Sequence, residues 1–268
     1  MEKRQLTEFL APAPLKAISE IHVFSQIDST NAQAARLVEN GLQGAQLIVA
    51  DCQSAGRGRR GRSWFSPSAS GLYLSLVYPF SITTDALQGL SLVTALSIRS
   101  AIQNLANENL QLKWPNDLLV GNKKLSGVLL ELCNDDKRTW VIFGIGVNYK
   151  LSEEQKLAID RPVIDIQGIL TETPSIEWLA GNIVNCLLEN IDIFTNSGFA
   201  TFRTIWNRYD RYYGKDIVVQ NGTSARPGRS LGVDESGSLL LLTSEGVQKI
   251  SGGEIFPSLR EKSEVSKQ

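Results

Sequence analysis

The stretch Gln53-Ser54-Ala55-Gly56-Arg57-Gly58-Arg59-Arg60-Gly61-Arg62-Ser63-Trp64 places four arginines within six residues, between strands predicted at 47–52 and 72–78. Glycine lets main-chain amides approach a ligand closely, and a guanidinium matches carboxylate or phosphate oxygens through paired hydrogen bonds. The stretch therefore predicts a loop that binds a small anion. These residues alone leave two alternatives open: a solvated basic loop, or an Arg/Gly segment that binds RNA and stacks Trp64 on a base.

The overall charge argues against a general nucleic-acid-binding protein. The chain has 268 residues, with 27 Lys plus Arg against 28 Asp plus Glu and a formal net charge of −1. A nucleic-acid surface needs a basic face, and the rest of the chain shows none beside residues 57–62. Apolar residues make up 42% of the sequence, which suffices for one large domain or for a large and a small one.

Targeting and redox features predict a cytoplasmic protein. No apolar run approaches the roughly 20 residues that span a bilayer, and residues 1–10 lack the apolar core of a signal peptide. Cys52, Cys133 and Cys186 lie far apart, which argues against a disulfide framework and a zinc site. The single histidine, His22, lies in a predicted strand as a structural or surface residue, so no Ser-His-Asp or Cys-His nucleophile is expected.

The hydrophobic pattern alternates strands and helices up to residue 149 and changes at Gly214. Asp28-Ser29-Thr30 can cap the helix at 31–40, which Gly41 would end, and Arg99 falls on the polar face of a second helix. Tyr213 continues an apolar helical stripe that starts at Phe199 and is predicted to lie in the core. From Gly214 onward, short extended runs between turn residues predict a small β-barrel as a second domain. The segments expected before residue 149 are strands at 21–27, 47–52, 72–78, 111–114, 124–132 and 139–147, helices at 31–40 and 87–105, and a turn at 120–123.

A second group of polar residues surrounds Lys113-Trp114-Pro115-Asn116-Asp117. Proline stops a strand, so Asn116 and Asp117 are predicted to project from a strand end into a loop, where α/β proteins commonly bind ligands. The alternative is an Asx turn at these two residues, with Lys123 and Lys124 as surface charges of a hairpin. Gly144-Ile145-Gly146-Val147-Asn148 ends the last strand, and by itself a GxG pattern is weak evidence for a site.

Taken in order, these motifs resemble those of biotin protein ligases over roughly residues 21–257. The motifs that carry the resemblance are Asp28-Ser29-Thr30-Asn31, residues 53–62 with Trp64-Phe65-Ser66-Pro67, residues 113–117, Lys124-Leu125-Ser126-Gly127 and residues 144–148. The resemblance implies an α+β fold, in which a class II synthetase-like catalytic domain with a mixed β-sheet and flanking helices precedes a small SH3-like β-barrel. The implied ranges are 1–213 for the catalytic domain, 214–260 for the barrel and 261–268 for a flexible tail.

The resemblance also implies an activity. Such enzymes join biotin to ATP as biotinyl-AMP and then transfer the biotinyl group to one lysine of a biotin carboxyl carrier protein, a subunit of acetyl-CoA carboxylase. Mg²⁺ is expected with the ATP, held largely by phosphates, and the sequence identifies no protein ligand for it. The loop over 54–70 is expected to be mobile without ligand and to order over the adenylate, which would exclude water.

The resemblance assigns roles to individual residues. The implied catalytic residues are Arg59, Lys124 and Asp117, of which Asp117 has a structural role in the turn as its alternative. The implied biotin-binding residues are Ser29, Thr30, Asn31, Gln53, Gly56, Arg57, Gly58, Arg59, Trp64, Lys124 and Gly127. The implied nucleotide-binding residues are Arg57, Arg59, Arg62, Lys113, Asn116, Lys124 and Asn148.

Two other functions remain as alternatives. A ligase for lipoate or octanoate would differ in the shape of its pocket rather than in its mechanism. A nucleic-acid-binding regulator would use the Arg/Gly loop. Bifunctional members of the resembled family carry a helix-turn-helix domain before the DST motif, and only 27 residues precede Asp28 here, so DNA binding is not expected. No membrane partner is expected either.

Overall fold

A seven-stranded mixed sheet forms the centre of the computed structural model, which describes residues 1–106, 108–135 and 138–256. Its strands are β1 (Ile18–Phe24), β2 (Ala45–Ala50), β3 (Gly71–Phe80), β4 (Leu110–Lys113), β5 (Asp117–Val120), β6 (Lys123–Asn134) and β7 (Thr139–Asn148). The order across the sheet is β1-β2-β3-β7-β6-β5-β4, where β1 and β2 run parallel and the other neighbours run antiparallel. The predicted mixed sheet with flanking helices is confirmed.

Helices cover both faces of this sheet because strand side chains alternate between the faces. The helices are α1 (Lys3–Glu8), α2 (Pro12–Ala17), α3 (Thr30–Glu39), α4 (Leu90–Gln103), α5 (Glu153–Ala158), α6 (Ile176–Ser197) and α7 (Ala200–Tyr209). On β2, Leu47 and Val49 join the core shared with α4 and α6. Ile48, between them, packs instead with Ala34 and Val38 of α3.

The ends of α3 follow the predicted signals. The Ser29 hydroxyl accepts a hydrogen bond from the main-chain N–H of Ala32 at 3.4 Å, and Gly41 follows the helix with a φ of 81°. Strand β1 covers Ile18–Phe24 rather than 21–27, and Ile27 instead forms an isolated parallel bridge with Gln53. This bridge brings the start of α3 beside the arginine-rich loop.

The second sheet is antiparallel and has five strands. They are β8 (Asp216–Asn221), β9 (Ser224–Val233), β10 (Leu239–Thr243), β11 (Gly246–Ile250) and β12 (Glu254–Phe256), in the order β11-β10-β9-β8-β12. Because β12 has only three residues, the sequence pattern did not predict it. The indole N–H of Trp114 donates to the Gly237 carbonyl oxygen at 3.1 Å, so the two sheets meet at the turn after β4.

The predicted loop at Asp117 is wrong, since Asp117 begins β5 and pairs with both Lys113 and Gly127. A tight turn at 114–116 joins β4 to β5. The pattern missed β5 because its apolar residues, Leu118 to Val120, are consecutive and all buried, without the alternation of a half-exposed strand. The predicted turn at 120–123 is confirmed, since residues 121 and 122 join β5 to β6.

Two burial predictions are wrong. Arg99 lies not on a solvent face but in a nearly closed site, where its guanidinium donates to the Leu110 carbonyl oxygen at 2.9 Å and lies 3.2 Å from the centre of the Tyr209 ring. Because α4 packs against both the sheet and other helices, little of its surface reaches water. Tyr213 lies beyond the end of α7, and 55% of its surface is exposed.

The two ends of the chain compare differently with the prediction from sequence. Helices α1 and α2 were not predicted; Leu6 of α1 is fully buried, and the Phe9 main chain reaches Asn185 of α6. The predicted flexible tail over 261–268 falls outside the described residues. Among the residues described, no helix combines the length and hydropathy that a membrane span requires.

Candidate active site

One cavity of about 780 Å³ opens where α3, the arginine-rich loop and the ends of β4 to β7 meet. Glu254 of the small sheet also reaches it, so both sheets contribute to its wall. All the predicted site residues line this cavity. They are Ser29, Thr30, Asn31, Gln53, Gly56, Arg57, Gly58, Arg59, Arg62, Trp64, Lys113, Asn116, Asp117, Lys124, Gly127 and Asn148.

Uncharged polar groups make up one end of the cavity. The Gln53 side-chain oxygen accepts hydrogen bonds from the main-chain N–H of Thr30 at 2.9 Å and from its hydroxyl at 3.2 Å. The Gln53 amide group donates to the Ser66 hydroxyl at 2.8 Å. Because Ser29 and Thr30 are almost fully buried, a ligand entering here would meet oriented hydrogen-bonding groups with little competing water.

Asn31 lies in the wall beside this end and is held on both sides. Its amide oxygen accepts from the Ser75 hydroxyl at 2.6 Å, and its amide nitrogen donates to the Glu131 carboxylate at 2.7 Å. Gly144 of β7 leaves the room, since a Cβ there would collide with the Asn31 amide oxygen. Asn31 is 4% exposed, and its hydrogen bonds with Ser75 and Glu131 attach the first turn of α3 to the sheet.

The arginine-rich loop is a small hairpin. The Trp64 main-chain N–H donates to the Gly56 carbonyl oxygen at 2.9 Å, and the Gly58 N–H donates to the Arg62 carbonyl oxygen at 2.7 Å. A Cβ on Gly56 would lie 2.5 Å from the Trp64 carbonyl oxygen, so this close approach requires glycine. The hairpin sets the main-chain direction at each arginine.

Each of the four arginines of the hairpin contacts a different element. Arg57 pairs with Glu131 of β6 at 2.6 Å, and Arg59 donates to the Asn116 amide oxygen at 3.3 Å. On the small sheet, Arg60 reaches Asn221 at 3.2 Å and Arg62 pairs with Glu254 at 3.1 Å. A separate partner for each arginine is evidence against the alternative of a fully solvated basic loop.

Arg59 carries the most deeply placed charge of the hairpin. Burial lowers the pKa of its guanidinium from the usual value, the neighbouring Arg60 lowers it further, and Asp117 acts in the opposite sense. A guanidinium stays charged under these conditions because its usual pKa is above 12. The cavity therefore contains a partly desolvated positive charge, which suits an anionic ligand.

Two lysines and one carboxylate lie on the opposite wall. The Lys124 ammonium lies 2.6 Å from the Asp117 carboxylate across β5 and β6, and both side chains are mostly buried. The alternative interpretation, in which Lys124 is a surface charge of a hairpin, is therefore wrong. Lys113 lies 6.0 Å from the centre of the Tyr212 ring, and burial lowers the pKa of its ammonium.

Trp64 lines the cavity between its uncharged end and its cationic end. Its ring lies over Gly127 and Gly146, where an added Cβ would lie 2.9 Å and 2.5 Å from ring atoms, and the Lys124 ammonium is 5.2 Å from the ring centre. The indole nitrogen is buried and makes no hydrogen bond among the described residues. The position of Trp64 therefore depends on two strand glycines.

Asn148 supports the wall formed by residues 158–163. Its side-chain amide group donates to the Lys124 and Ile164 carbonyl oxygens, each at 3.1 Å. Strand β6 also pairs with this segment through a bridge between Lys124 and Val163. The observed hydrogen bonds of Asn148 are therefore structural, and a contact between Asn148 and a nucleotide would use the amide oxygen.

Sequence reasoning missed the partners of the motif residues. Glu131, Ser75 and Ser66 each contact a predicted site residue, and Glu254 contacts Arg62 from the small sheet. Ser66 lies within the motif Trp64-Phe65-Ser66-Pro67, whereas Glu131, Ser75 and Glu254 lie in none of the motifs. Glu131 could have been noticed as the charged residue within the otherwise apolar run 128–133 of β6.

The carboxylates near the cavity do not form a metal site. Each is paired with a cation: Asp117 with Lys124, Glu131 with Arg57, Asp160 with Arg161, and Glu254 with Arg62. Within the described ranges, no three His, Cys, Asp or Glu side chains cluster as metal ligands. These paired carboxylates do not fit a resident divalent ion.

Profiles of known families match two segments of the chain. The Biotin/lipoate A/B protein ligase family matches residues 23–148, which span the large sheet from β1 to β7. The Biotin protein ligase C terminal domain matches residues 218–256, which lie in the small sheet. Apart from the wall at residues 158–163, the two matches include every residue that lines the cavity.

The chain is also similar to individual proteins along most of their length. The chain is 31% identical to the biotin–[acetyl-CoA-carboxylase] ligase of Paracoccus denitrificans, over 87% of this chain and 99% of the relative. It is 30% identical to the bifunctional ligase/repressor BirA of Escherichia coli K12, over 88% of this chain and 73% of the relative. Among solved structures, the biotin protein ligase from Aquifex aeolicus in complex with biotin and ATP aligns with a TM-score of 0.74 and 30% identity, covering 89% and 98% of the two chains.

Proposed function

Because the chain belongs to the biotin protein ligase family, we propose that it activates biotin with MgATP as biotinyl-AMP and then transfers the biotinyl group to one lysine of a carrier protein. The Paracoccus relative is named for acetyl-CoA carboxylase, so the proposed carrier is the biotin carboxyl carrier protein of that enzyme. The observation that carries the proposal is a single cavity with an uncharged hydrogen-bonding end and a cationic end.

The uncharged end suits the ureido ring of biotin. We assign the ring to Ser29, Thr30 and Gln53, since a buried ring with N–H and C=O groups needs partners of both kinds. Asn31 supports this end from behind, and Trp64 with Gly127 would line the path of the acyl chain. Ring binding would require Gln53 to exchange part of its present contacts with Thr30 and Ser66 for the ligand.

The cationic end suits the reacting groups. In the first step, a biotin carboxylate oxygen attacks the α-phosphorus of ATP, the bond to the β-phosphate oxygen breaks, and pyrophosphate leaves. We assign Arg57 and Arg59, with the main-chain amides of Gly56 and Gly58, to the carboxylate and the α-phosphate. Lys124 would stabilise the charge that develops there. This step needs no enzyme nucleophile, in agreement with a chain that has one histidine.

The remaining polar residues are assigned to the nucleotide and the acceptor. Arg62, Lys113 and Asn116 would contact phosphates, and Asn148 would contact adenosine through its amide oxygen. In the second step, the acceptor lysine amine attacks the acyl carbon and AMP leaves, so one proton must depart from the amine. We assign Asp117 to orient that amine or to take the proton.

Several wider features remain part of the proposal. The small antiparallel sheet would form an SH3-like barrel within a domain over 214–260, and the catalytic domain would cover 1–213. The enzyme would act in the cytoplasm, without a DNA or membrane partner. The loop over 54–70 would close over the adenylate and protect the mixed anhydride from water.

Lipoate is the second candidate substrate, because the matching family description names lipoate as well as biotin. A lipoyl ring has no ureido group, so it could not replace the hydrogen bonds that Thr30 and Gln53 make with each other in the absence of ligand. A site built to hydrogen-bond a substrate group discriminates against an analogue that lacks the group. The cavity therefore favours biotin. The Arg/Gly loop is not favoured as a nucleic-acid site, because three of its four arginines, Arg57, Arg59 and Arg62, line the cavity.

The proposal is tested by incubating the chain with labelled biotin, ATP, Mg²⁺ and a carrier domain, with and without its target lysine. Label should enter the carrier only when ATP and the lysine are both present. Labelling by lipoate but not by biotin would overturn the substrate assignment. A filter-binding assay with duplex DNA at increasing salt should retain none, and salt-dependent retention would support the regulator instead.

A further inference from the structure

Glu131 lies behind the cavity, where it joins the two ends of the site. It belongs to β6 and its side chain is 26% exposed, although it does not line the cavity. Its neighbours along the strand, Leu130 and Leu132, are apolar. Because about three quarters of the Glu131 side chain is removed from water, its charge is costly unless both oxygens find donors. Each oxygen of Glu131 has one.

The first donor is Arg57. Its guanidinium nitrogen Nη2 lies 2.6 Å from Oε1 of Glu131, while the hairpin of the loop fixes the main chain on either side. An arginine has five N–H donors in a rigid plane, so a bond from one edge orients the rest of the group. Because Arg57 also lines the cavity, Glu131 determines which edge of the guanidinium faces a ligand.

The second donor is Asn31. Its amide nitrogen lies 2.7 Å from Oε2 of Glu131, and its amide oxygen accepts from Ser75, whose hydroxyl also lies 2.8 Å from that of Thr30. Glu131 is thus joined to the first turn of α3 as well as to the arginine loop. The two contacts use different oxygens, so one substitution can remove one contact and keep the other.

We propose that Glu131 is a positioning residue for adenylation, which holds the Arg57 guanidinium in the orientation that receives the carboxylate and α-phosphate oxygens. The inference rests on the proposed function, because the anion is the biotin carboxylate with ATP. Glu131 does not contact the reacting atoms and acts through Arg57. Its contact with Asn31 serves the neutral end of the site independently.

Glu131→Gln separates the two contacts. A glutamine is neutral and has one acceptor oxygen, so the ion pair with Arg57 is lost in either orientation of the amide group, whereas the oxygen can still accept from Asn31 in one of them. The single-turnover rate of biotinyl-AMP formation should fall about tenfold, the size expected for losing a hydrogen bond between charged groups. The Kd of biotin without ATP should change less than this rate, since the ureido ring is assigned to the other end of the cavity.

A double-mutant cycle tests whether the effect passes through Arg57. Arg57→Ala should lower the rate at least as much as Glu131→Gln, and adding Glu131→Gln to Arg57→Ala should cause no further loss. Glu131→Asp, which keeps the charge, should recover part of the rate. The matched control is Glu8→Gln, which removes an exposed carboxylate that pairs with Arg4 on α1, away from the cavity.

The outcomes separate three cases. If Glu131→Gln lowers the rate equally with and without Arg57, or weakens biotin binding as much as it slows adenylation, Glu131 is structural and the inference is overturned. A Glu131→Gln rate equal to that of wild type would also overturn it. If neither wild type nor Glu8→Gln forms biotinyl-AMP, the proposed function itself fails. Urea unfolding of each variant confirms that the rates compare folded proteins.

Discussion

At the scale of single residues, the cavity concentrates positive charge although the chain as a whole is nearly neutral. Arg59 and Lys124 are both mostly removed from water, and each has one polar partner in the wall, Asn116 and Asp117. A fixed charge in a water-poor site acts more strongly on a developing charge than the same group in solvent. These two residues should therefore affect chemistry more than ligand capture.

Arg59→Ala should sharply lower the yield of biotinyl-AMP or let the adenylate escape, because the α-phosphate loses the most buried arginine of the hairpin. The expected loss in the single-turnover rate is about 10- to 100-fold. Rapid-quench kinetics measures the yield, and rapid gel filtration measures how much adenylate stays bound. Wild-type yield together with wild-type retention would remove Arg59 from the site.

Lys124→Ala should impair adenylation more than biotin binding, since the ammonium acts on charge that develops during the reaction. We expect a loss of about 100-fold in rate and less than about threefold in biotin affinity, by rapid quench and by calorimetry. The substitution also leaves Asp117 without its cation. The double variant Lys124→Ala with Asp117→Asn removes that charge as well. It therefore separates the effect of an unpaired buried carboxylate from the loss of catalysis by Lys124. An equal loss of affinity and rate would contradict this role.

Single-residue predictions from sequence were limited to residues with a motif around them. The glycines and arginines of residues 56–62 follow from their chemistry, because few other sequences bring main-chain amides and guanidinium groups so close. The roles of Glu131 and Ser75 could not be predicted from the sequence. They reach Asn31 across the sheet from positions 100 and 44 residues along the chain, and only the strand register brings them there.

At the scale of elements, the arginine hairpin is the part of the site that the proposed closure would change. Its contacts are spread over two sheets, and Arg60 and Arg62, which reach the small sheet, remain exposed. Ion pairs between exposed groups contribute little stability. Ligand anions therefore compete with weak contacts when they draw the loop over the cavity.

Trypsin should cleave the hairpin after its exposed arginines, and biotin with ATP should slow that cleavage by at least about tenfold, since a closed loop opens rarely. Cleavage at Arg4 of α1 provides an internal reference, because its side chain is 91% exposed and lies in another element. Mass spectrometry identifies the sites. Equal hairpin cleavage with and without both ligands would contradict closure of the loop.

Elements were predictable where periodicity was clear. The strands at β2, β3, β6 and β7 follow their predicted segments to within a few residues, because they are long and apolar. The short strand β5 and the burial of Arg99 could not be predicted in this way. Both depend on burial from every side, which removes the contrast between faces that a sequence pattern detects.

At the scale of the whole molecule, a buried carboxyl group lies in the segment that leads from α7 to the small sheet. Asp210 follows α7, bridges to Leu112 of β4, and accepts from the Tyr212 main-chain N–H at 2.9 Å. Its Oδ2 atom makes no hydrogen bond among the described residues. Burial is the main cause that raises the pKa of Asp210 from 3.8 to about 6, against the lowering effect of the Tyr212 N–H.

The raised pKa predicts that Asp210→Asn becomes relatively more stabilising as pH rises. Below pH 3.8 the carboxyl is protonated in both the folded and the unfolded state. Between that pH and about 6 the unfolded state loses its proton first, so the wild type loses up to about 3 kcal/mol that asparagine keeps. Urea unfolding at pH 4 and pH 7.5 measures both proteins. A constant difference between them would show that Asp210 does not titrate abnormally.

The division into two sheets was predictable because the chain changes from long periodic segments to short strands near residue 214. Their contact was not predictable. Trp114 and Glu254 lie far apart in sequence. Trp114 reaches Gly237 in the turn before β10, and Glu254 of β12 reaches Arg62 in the arginine hairpin. Through these contacts the small sheet forms part of the site.

The central claim is that one cavity binds biotin at its neutral end and activates its carboxylate with ATP at its cationic end. The exchange of labelled pyrophosphate into ATP tests this most directly, because exchange requires the reversible formation of the acyl-adenylate. The full chain should catalyse exchange when biotin is present, and it should catalyse none with lipoate or without an acid. Exchange that depends on lipoate and not on biotin, or no exchange with either acid, would contradict it.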